Sequence, residues 1–226
     1  VSRKEDVEVM KYEAVLFDLD GTLTDPKVGI TKSVQYALSH HGIQVDDPDT
    51  LIPYIGPPLI VSFQEIHSFS EKESMQLVEK YREYFKDRGI YENELYDGIQ
   101  GLLEMLTQQG RKLIVATSKP TVFALEVLKH FGIGSYFEVV CGSNLDGTLS
   151  DKSEIINDVF KKTGVNKHAA IMIGDRKHDI IGARKNDIES ISVGYGYGSD
   201  EELSAIQPTY YVKTVLELQE FFANDI

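Results

Sequence analysis

The sequence predicts an α/β fold: a doubly wound, mostly parallel sheet interrupted by a helical insert. Three observations predict it. Short, near-continuous apolar runs recur along the chain, and amphipathic stretches of helical spacing alternate with them. One long interval between the first two runs carries helical patterns and no clear strand. Continuous β-branched runs suit strands covered on both faces. Strands alternating with helices build a layered α/β core.

The strands come first. Ala14–Phe17, Leu113–Ala116, Phe137–Val140, Ala170–Ile173 and Ser190–Val193 read as buried parallel strands, and Thr209–Val212 reads as a sixth. Between them the spacing predicts three helices. Gln100–Gln109 carries Leu102, Leu103 and Leu106 on one face, Thr121–Phe131 carries Val122, Leu125 and Leu128, and Ser153–Lys162 carries Ile155, Ile156, Val159 and Phe160. In a Rossmann-like sheet of this kind, ligands bind at the carboxyl ends of the strands.

The interval after the first strand has helical spacing at Ile30–His41 (Val34, Ala37, Leu38) and at Glu71–Arg88 (Met75, Val78, Tyr81, Phe85). One crossover rarely needs so many residues. A helical cap domain over residues 25–94 is therefore expected, inserted in a core of residues 11–24 and 95–226. One thick helical layer of the core is the alternative. Tyr54–Pro58 reads as a stiff break between helices of the insert, and residues 1–10 as a disordered extension, with Met10 a candidate start.

Composition narrows the function. A net charge of −13 repels polyanions, which argues against nucleic acid as a partner but not against small phosphorylated molecules held by local cations. No apolar run approaches membrane-spanning length, so no membrane partner is expected. The single cysteine, Cys141, ends an apolar run and reads as a core residue; with no disulfide to form, a cytoplasmic location is expected. None of the six histidines falls in a zinc-site spacing, and only His178 lies near a candidate motif.

The chemistry gathers where strands end. Asp18 and Asp20 directly follow the first strand, with Gly21 allowing a sharp turn after them. Side chains two apart on extended chain point the same way, so both carboxylates can face one pocket. Close carboxylates favour a bound cation or a shared proton, and one can act as nucleophile while the other moves protons. A capped Asp-Gly turn is the alternative. Leu145–Thr148 repeats Leu19–Thr22 without a strand before it and reads as a tight hairpin turn.

Asp18-x-Asp20-Gly21-Thr22 after an apolar strand resembles the first signature of the haloacid dehalogenase superfamily. Three further signatures follow in order. Thr117 and Ser118 end the second strand, before a helix with Pro120 in its first turn; Lys152 opens a later helix; Asp175 and Asp179 follow Ile171–Gly174. Singly, Thr117 or Ser118 reads as a helix cap, Lys152 as a surface lysine, and the two acids as helix-start residues. The insert resembles the helical cap of the phosphoglycolate phosphatase-like branch, and Asp20 is the residue that other chemistries of the superfamily replace.

The resemblance implies a Mg²⁺-dependent phosphatase. Asp18 would be the nucleophile and Asp20 the proton-transfer group, with Thr117, Ser118 and Lys152 on the phosphate. Mg²⁺ would sit on Asp18, the backbone carbonyl of Asp20 and Asp175, with Asp179 orienting a bound water or Lys152. The substrate would be a small phosphorylated metabolite of the phosphoglycolate kind, with nucleoside monophosphates next. A phosphomutase and a non-catalytic phospho-ligand sensor are the alternatives. The cap would read the leaving group, which makes Lys27, Lys32, Arg82, Lys86 and Arg88 candidates for a substrate anion. Gly194–Gly198 is expected as a turn beside the site, followed by a Ser199–Glu202 capping box.

Overall fold

The computed structural model describes residues 10–225; the extension expected at residues 1–10 falls, but for Met10, outside them. In chain order, β1 (Ala14–Phe17) and a two-residue β2 (Thr24–Asp25) precede three helices, α1 (Lys27–His40), α2 (Leu59–His67) and α3 (Glu71–Tyr84). A two-residue β3 (Glu94–Leu95) pairs with β2 in a small sheet of its own. Then come α4 (Ile99–Gln108), β4 (Lys112–Pro120), α5 (Thr121–His130), β5 (Phe137–Ser143) and α6 (Lys152–Thr163). The chain ends with β6 (Ala170–Gly174), α7 (Lys177–Lys185), β7 (Glu189–Val193), α8 (Asp200–Ile206), β8 (Tyr210–Val212) and α9 (Val215–Ala223).

The six runs expected as strands form one parallel sheet in the order β5-β4-β1-β6-β7-β8. Its two faces follow from alternation along each strand. Ala14 and Leu16 join Ile114, Ala116 and Met172 against Ile155, Ile156 and Val159 of α6 and Ala183 of α7. Val15 and Phe17 join Leu113, Val115, Ile171 and Ile173 on the other face, against α4, α5 and α9. Helices on both sides of a parallel sheet make the doubly wound architecture. Cys141 is buried against the first of these faces.

Between β2 and β3 the chain is helical, and β2 and β3 pair antiparallel where it leaves and returns (Asp25 opposite Glu94). α3 starts on a complete capping box between Ser70 and Glu73. Val34, Leu38, Phe63, Leu77 and Tyr81 bury together and continue into the apolar cluster of the sheet.

Some expectations need correction. The α5 face that packs is Ala124, Val127 and Leu128, while Val122 and Leu125 are about half exposed. Both sets fit helical spacing, and only the sheet decides between them. Met75 is likewise exposed, and α3 gives way at Phe85 to a π turn over Phe85–Gly89. β4 continues to Pro120, which precedes α5 instead of lying in its first turn. A residue before proline is driven to extended backbone, so Lys119 holds the chain in strand form. Neither Thr117 nor Ser118 caps a helix. Asn144–Thr148 closes a turn, but the chain runs on to α6 and not to a second hairpin strand.

Candidate active site

Register brings the expected residues together. Phe17 at the end of β1 lies beside Val115 of β4 and Ile173 of β6, so the chain beyond all three opens at one edge. Asp18 N–H donates to the Ile173 carbonyl at 2.9 Å. Its carboxylate oxygen Oδ1 accepts from Leu19 N–H at 2.8 Å and meets Lys152 Nζ at 3.0 Å.

Lys152 is the hub of the site. Its ammonium touches Asp18, Asp179 Oδ1 at 2.8 Å and the Ala116 carbonyl at 3.0 Å. The Asp179 contact is an ion pair by distance and lacks hydrogen-bond alignment. Asp151, the N-cap of α6, accepts from Ser153 N–H and fixes the turn that aims Lys152 inward. Burial alone would lower the lysine's pKa, but Asp179 and Asp18 outweigh it and the net direction is up.

Asp18, Asp175 and Asp179 are all buried, with ligand oxygens within 4.8 Å of one another. Burial, then Asp179 and Asp18, push Asp175 well above the usual carboxylate range. Asp179 is pushed up to about 6, chiefly by burial, with Lys152 opposing. Asp175 Oδ2 accepts from Tyr197 N–H at 2.7 Å, while Oδ1 is buried without a partner. Asp179, expected to orient a bound water or Lys152, touches Lys152 and lies in the same carboxylate cluster as Asp18 and Asp175.

Asp20 turns elsewhere. Its carboxylate pairs with Lys119 at 2.6 Å, and Lys119 lies 4.6 Å from the ring centre of Phe85 in the insert. Burial raises the Asp20 pKa, Lys119 pulls it back, and the net direction is up. Lys119 was not among the expected site residues. The signal was present: on extended chain residues 117 and 119 share a side, and the proline at 120 makes that chain extended. Thr117 is buried behind this pair and accepts from Lys119 N–H through its hydroxyl. Ser118 is half-buried and reaches the Ser150 carbonyl at 3.5 Å.

Two cavities meet the site. One, of about 210 Å³, is lined by Asp20, Lys119 and Ser118 of the core and by Tyr54, Tyr81 and Phe85 of the insert. Of the five basic candidates in the insert, Arg82 alone lines it. Lys27 pairs with Asp49, Lys32 pairs with Glu92, Arg88 lies over Tyr84, and Lys86 is exposed. The second cavity, of about 220 Å³, is lined by Lys152, Ser118 and His178.

The three clustered acids, Asp18, Asp175 and Asp179, face one lysine, Lys152, so in their ionised form they lack positive charge. That deficit and the orphaned Asp175 Oδ1 fit a divalent cation with oxygen ligands, such as Mg²⁺. The Asp20 side chain, paired with Lys119, takes no part in the carboxylate cluster.

The glycine-rich loop after β7 covers this cluster. A methyl on Gly196 would collide with the Asp175 side chain and the Gly21 carbonyl. Gly21 itself has φ +82° and its Cα faces Asp175. Gly196→Ala is expected to destabilise the fold by about 2 kcal/mol or more, read as a lower melting temperature. Gly134→Ala, where a methyl would only touch Leu128, is the control and should shift it little. Ser199 caps α8 as expected, accepting from Glu202 N–H. The Glu202 carboxylate, however, goes to Arg176 and Lys177 instead of closing a capping box.

The family profile of the haloacid dehalogenase-like hydrolases matches residues 15–193, and the chain belongs to that family. It is 46% identical to a 5'-nucleotidase of Pseudomonas aeruginosa, over 93% of this chain and 96% of that protein. It is 29% identical to a phosphoglycolate phosphatase of Colwellia psychrerythraea, over 94% of this chain and 97% of the other. Among solved structures it resembles a predicted phosphatase from Clostridium acetobutylicum, with a TM-score of 0.92 and 48% identity over 94% of this chain and 99% of that one. Among the described residues, no helix is long and apolar enough to cross a membrane.

Proposed function

We propose that this chain is a Mg²⁺-dependent phosphomonoesterase working through an aspartyl-phosphate on Asp18, with residues 25–94 as the cap that reads the leaving group. One observation carries the reading. The two acids after β1 are divided between two lysines, so that Asp18 sits in the acid cluster and Asp20 opens onto the cavity beneath the insert.

In the first step a carboxylate oxygen of Asp18 attacks phosphorus and the ester P–O bond breaks. Lys152 holds Asp18 by Oδ1, which leaves Oδ2 to attack. Asp20, kept toward its protonated form by burial, gives its proton to the leaving oxygen. In the second step Asp20 takes a proton from water, whose oxygen attacks phosphorus and releases phosphate from Asp18. Thr117, Ser118 and Lys152 orient the phosphoryl group. Asp18, Asp175, the Asp20 carbonyl and the adjacent Asp179 would hold Mg²⁺, which when bound offsets charge on the phosphoryl oxygens.

The lining of the first cavity favours nucleoside monophosphates. Phe123 joins Tyr54, Tyr81 and Phe85 in its aromatic wall, Ile30, Leu59 and Val78 add aliphatic surface, and aromatic faces stack on bases for about 1–3 kcal/mol each. Phosphoglycolate is the second reading, supported by Arg82 as a partner for its carboxylate. A screen of nucleoside monophosphates, sugar phosphates and phosphoglycolate with Mg²⁺ decides. Nucleotides are expected to give the highest kcat/KM. Phosphoglycolate at the head of the ranking would select the second reading, and no phosphate release from any substrate would sink the enzyme.

A further inference from the structure

Two residues outside the expected site share a double task. Arg176 follows Asp175, and its N–H donates to Asp179 Oδ2 at 3.1 Å. Its guanidinium reaches the insert, where Nη1 donates to the Ile55 carbonyl at 2.5 Å. Tyr197 donates its N–H to Asp175 Oδ2 at 2.7 Å. Its phenol donates to Asp25 in β2, where the chain enters the insert. In each residue the backbone fixes a buried site carboxylate and the side chain grips the insert.

We propose that Arg176 and Tyr197 are positioning residues that couple seating of the insert to the orientation of Asp179 and Asp175. The acid cluster is then set for metal and substrate only when the insert is down. The phosphatase reading enters only in what this coupling controls.

The surroundings are built for the two grips. Glu202 holds the Arg176 guanidinium through Nε at 3.0 Å and Nη2 at 3.2 Å, and also accepts from Lys177 N–H at 2.7 Å. This two-point hold on a planar fork leaves Nη1 aimed at Ile55. Gly56, next to Ile55, has φ +102°, and a methyl there would come within 3.0 Å of Arg176 Cγ. Tyr54, Gly56, Pro57 and Pro58 line the leaving-group cavity, so Arg176 grips the cavity wall itself, at a stretch stiffened by two prolines. The second grip lies at the other end of the lever. Asp25 pairs with Glu94 where the insert leaves and rejoins the core, and Gly196 and Gly198 press the Tyr197 loop onto Asp175.

Coupling of this kind is reciprocal. If seating the insert orders the acids, filling the acid cluster must favour the seated insert. The test uses the whole chain with Mg²⁺ alone as probe. Hydrogen exchange of residues 54–67 is followed with and without Mg²⁺, and Mg²⁺ affinity is measured by calorimetry. Wild type is compared with Arg176→Lys, which cannot bridge Glu202 and Ile55 together, and with Tyr197→Phe, which keeps ring and N–H. In wild type, Mg²⁺ should slow exchange in this segment. Each substitution should weaken Mg²⁺ about tenfold, the scale for groups that support metal ligands, and should abolish most of the slowing. Faster exchange with unchanged Mg²⁺ affinity would make the grips merely structural and overturn the proposal. So would wild-type protein whose exchange ignores Mg²⁺ or that takes up none. Wild type that shows the linkage but hydrolyses no p-nitrophenyl phosphate would remove the phosphatase reading and keep the coupling.

Discussion

Asp18→Asn is expected to lower phosphate release by about 10⁴-fold or more, the scale for losing a nucleophile, without lowering thermal stability in the absence of Mg²⁺. The two halves of this prediction have different causes. Activity falls because an amide cannot form the acyl phosphate. Stability holds because Asp18 is one of three clustered acids facing one lysine, and removing it relieves repulsion with Asp175 and Asp179. Lys152 keeps Asp179 and the Ala116 carbonyl. Asp20→Asn separates the two steps further. With p-nitrophenyl phosphate the leaving group needs little protonation, so a burst of one p-nitrophenol per enzyme should precede a stall. The stall comes because no base remains to activate water. Steady turnover without a burst in Asp20→Asn, or residual turnover in Asp18→Asn near the wild-type rate, would contradict these roles.

The sheet was legible because parallel strands covered on both faces are apolar at nearly every position. Ala14–Phe17 reads as a strand with no help from its neighbours, and its register then aligns the ends of β1, β4 and β6. The candidate site was legible for a related reason: carboxylates directly after such strands have few structural uses. Less legible were side chains whose partners are remote in sequence. Lys119 reads as a polar residue before a proline until Asp20 and Phe85 close on it. Arg176 and Tyr197 lie inside quoted motifs, yet their targets, Ile55 and Asp25, are set only by how the insert rests on the core. The packed face of α5 was ambiguous because two sets of apolar residues satisfy one period. Glu202 looked like half of a capping box because the spacing matched, and an arginine from another motif outbid the local N–H.

Lys152→Met is expected to cost about 3–5 kcal/mol of stability without Mg²⁺, as removal of one partner from a buried ion cluster does. Methionine roughly preserves the length of the side chain, so the loss is of charge and hydrogen bonding. Asp18 and Asp179 lose their cation and the Ala116 carbonyl loses its donor. The deficit should depend on pH with a definite sign. Burial pushes Asp179 up to about 6, against 3.8 for an unperturbed aspartate, and Lys152 opposes that push most strongly, with the Arg176 N–H adding to the opposition. Without the lysine its folded pKa rises further. A carboxyl with a raised folded pKa binds more protons folded than unfolded, so its effect on stability worsens as pH rises through that window. The variant should therefore lie closest to wild type near pH 5 and furthest above pH 7. Mg²⁺ should recover part of the loss, because it supplies the positive charge that the acids then lack. Activity should still fall by about 10²–10³-fold at saturating Mg²⁺, since no group replaces the ammonium on the phosphate. Lys185→Met, at an exposed pair with Asp151, should change neither property. A Lys152→Met protein with wild-type stability at pH 8 would mean that the acids share protons among themselves, and the charge balance that points to a divalent cation would lose its basis.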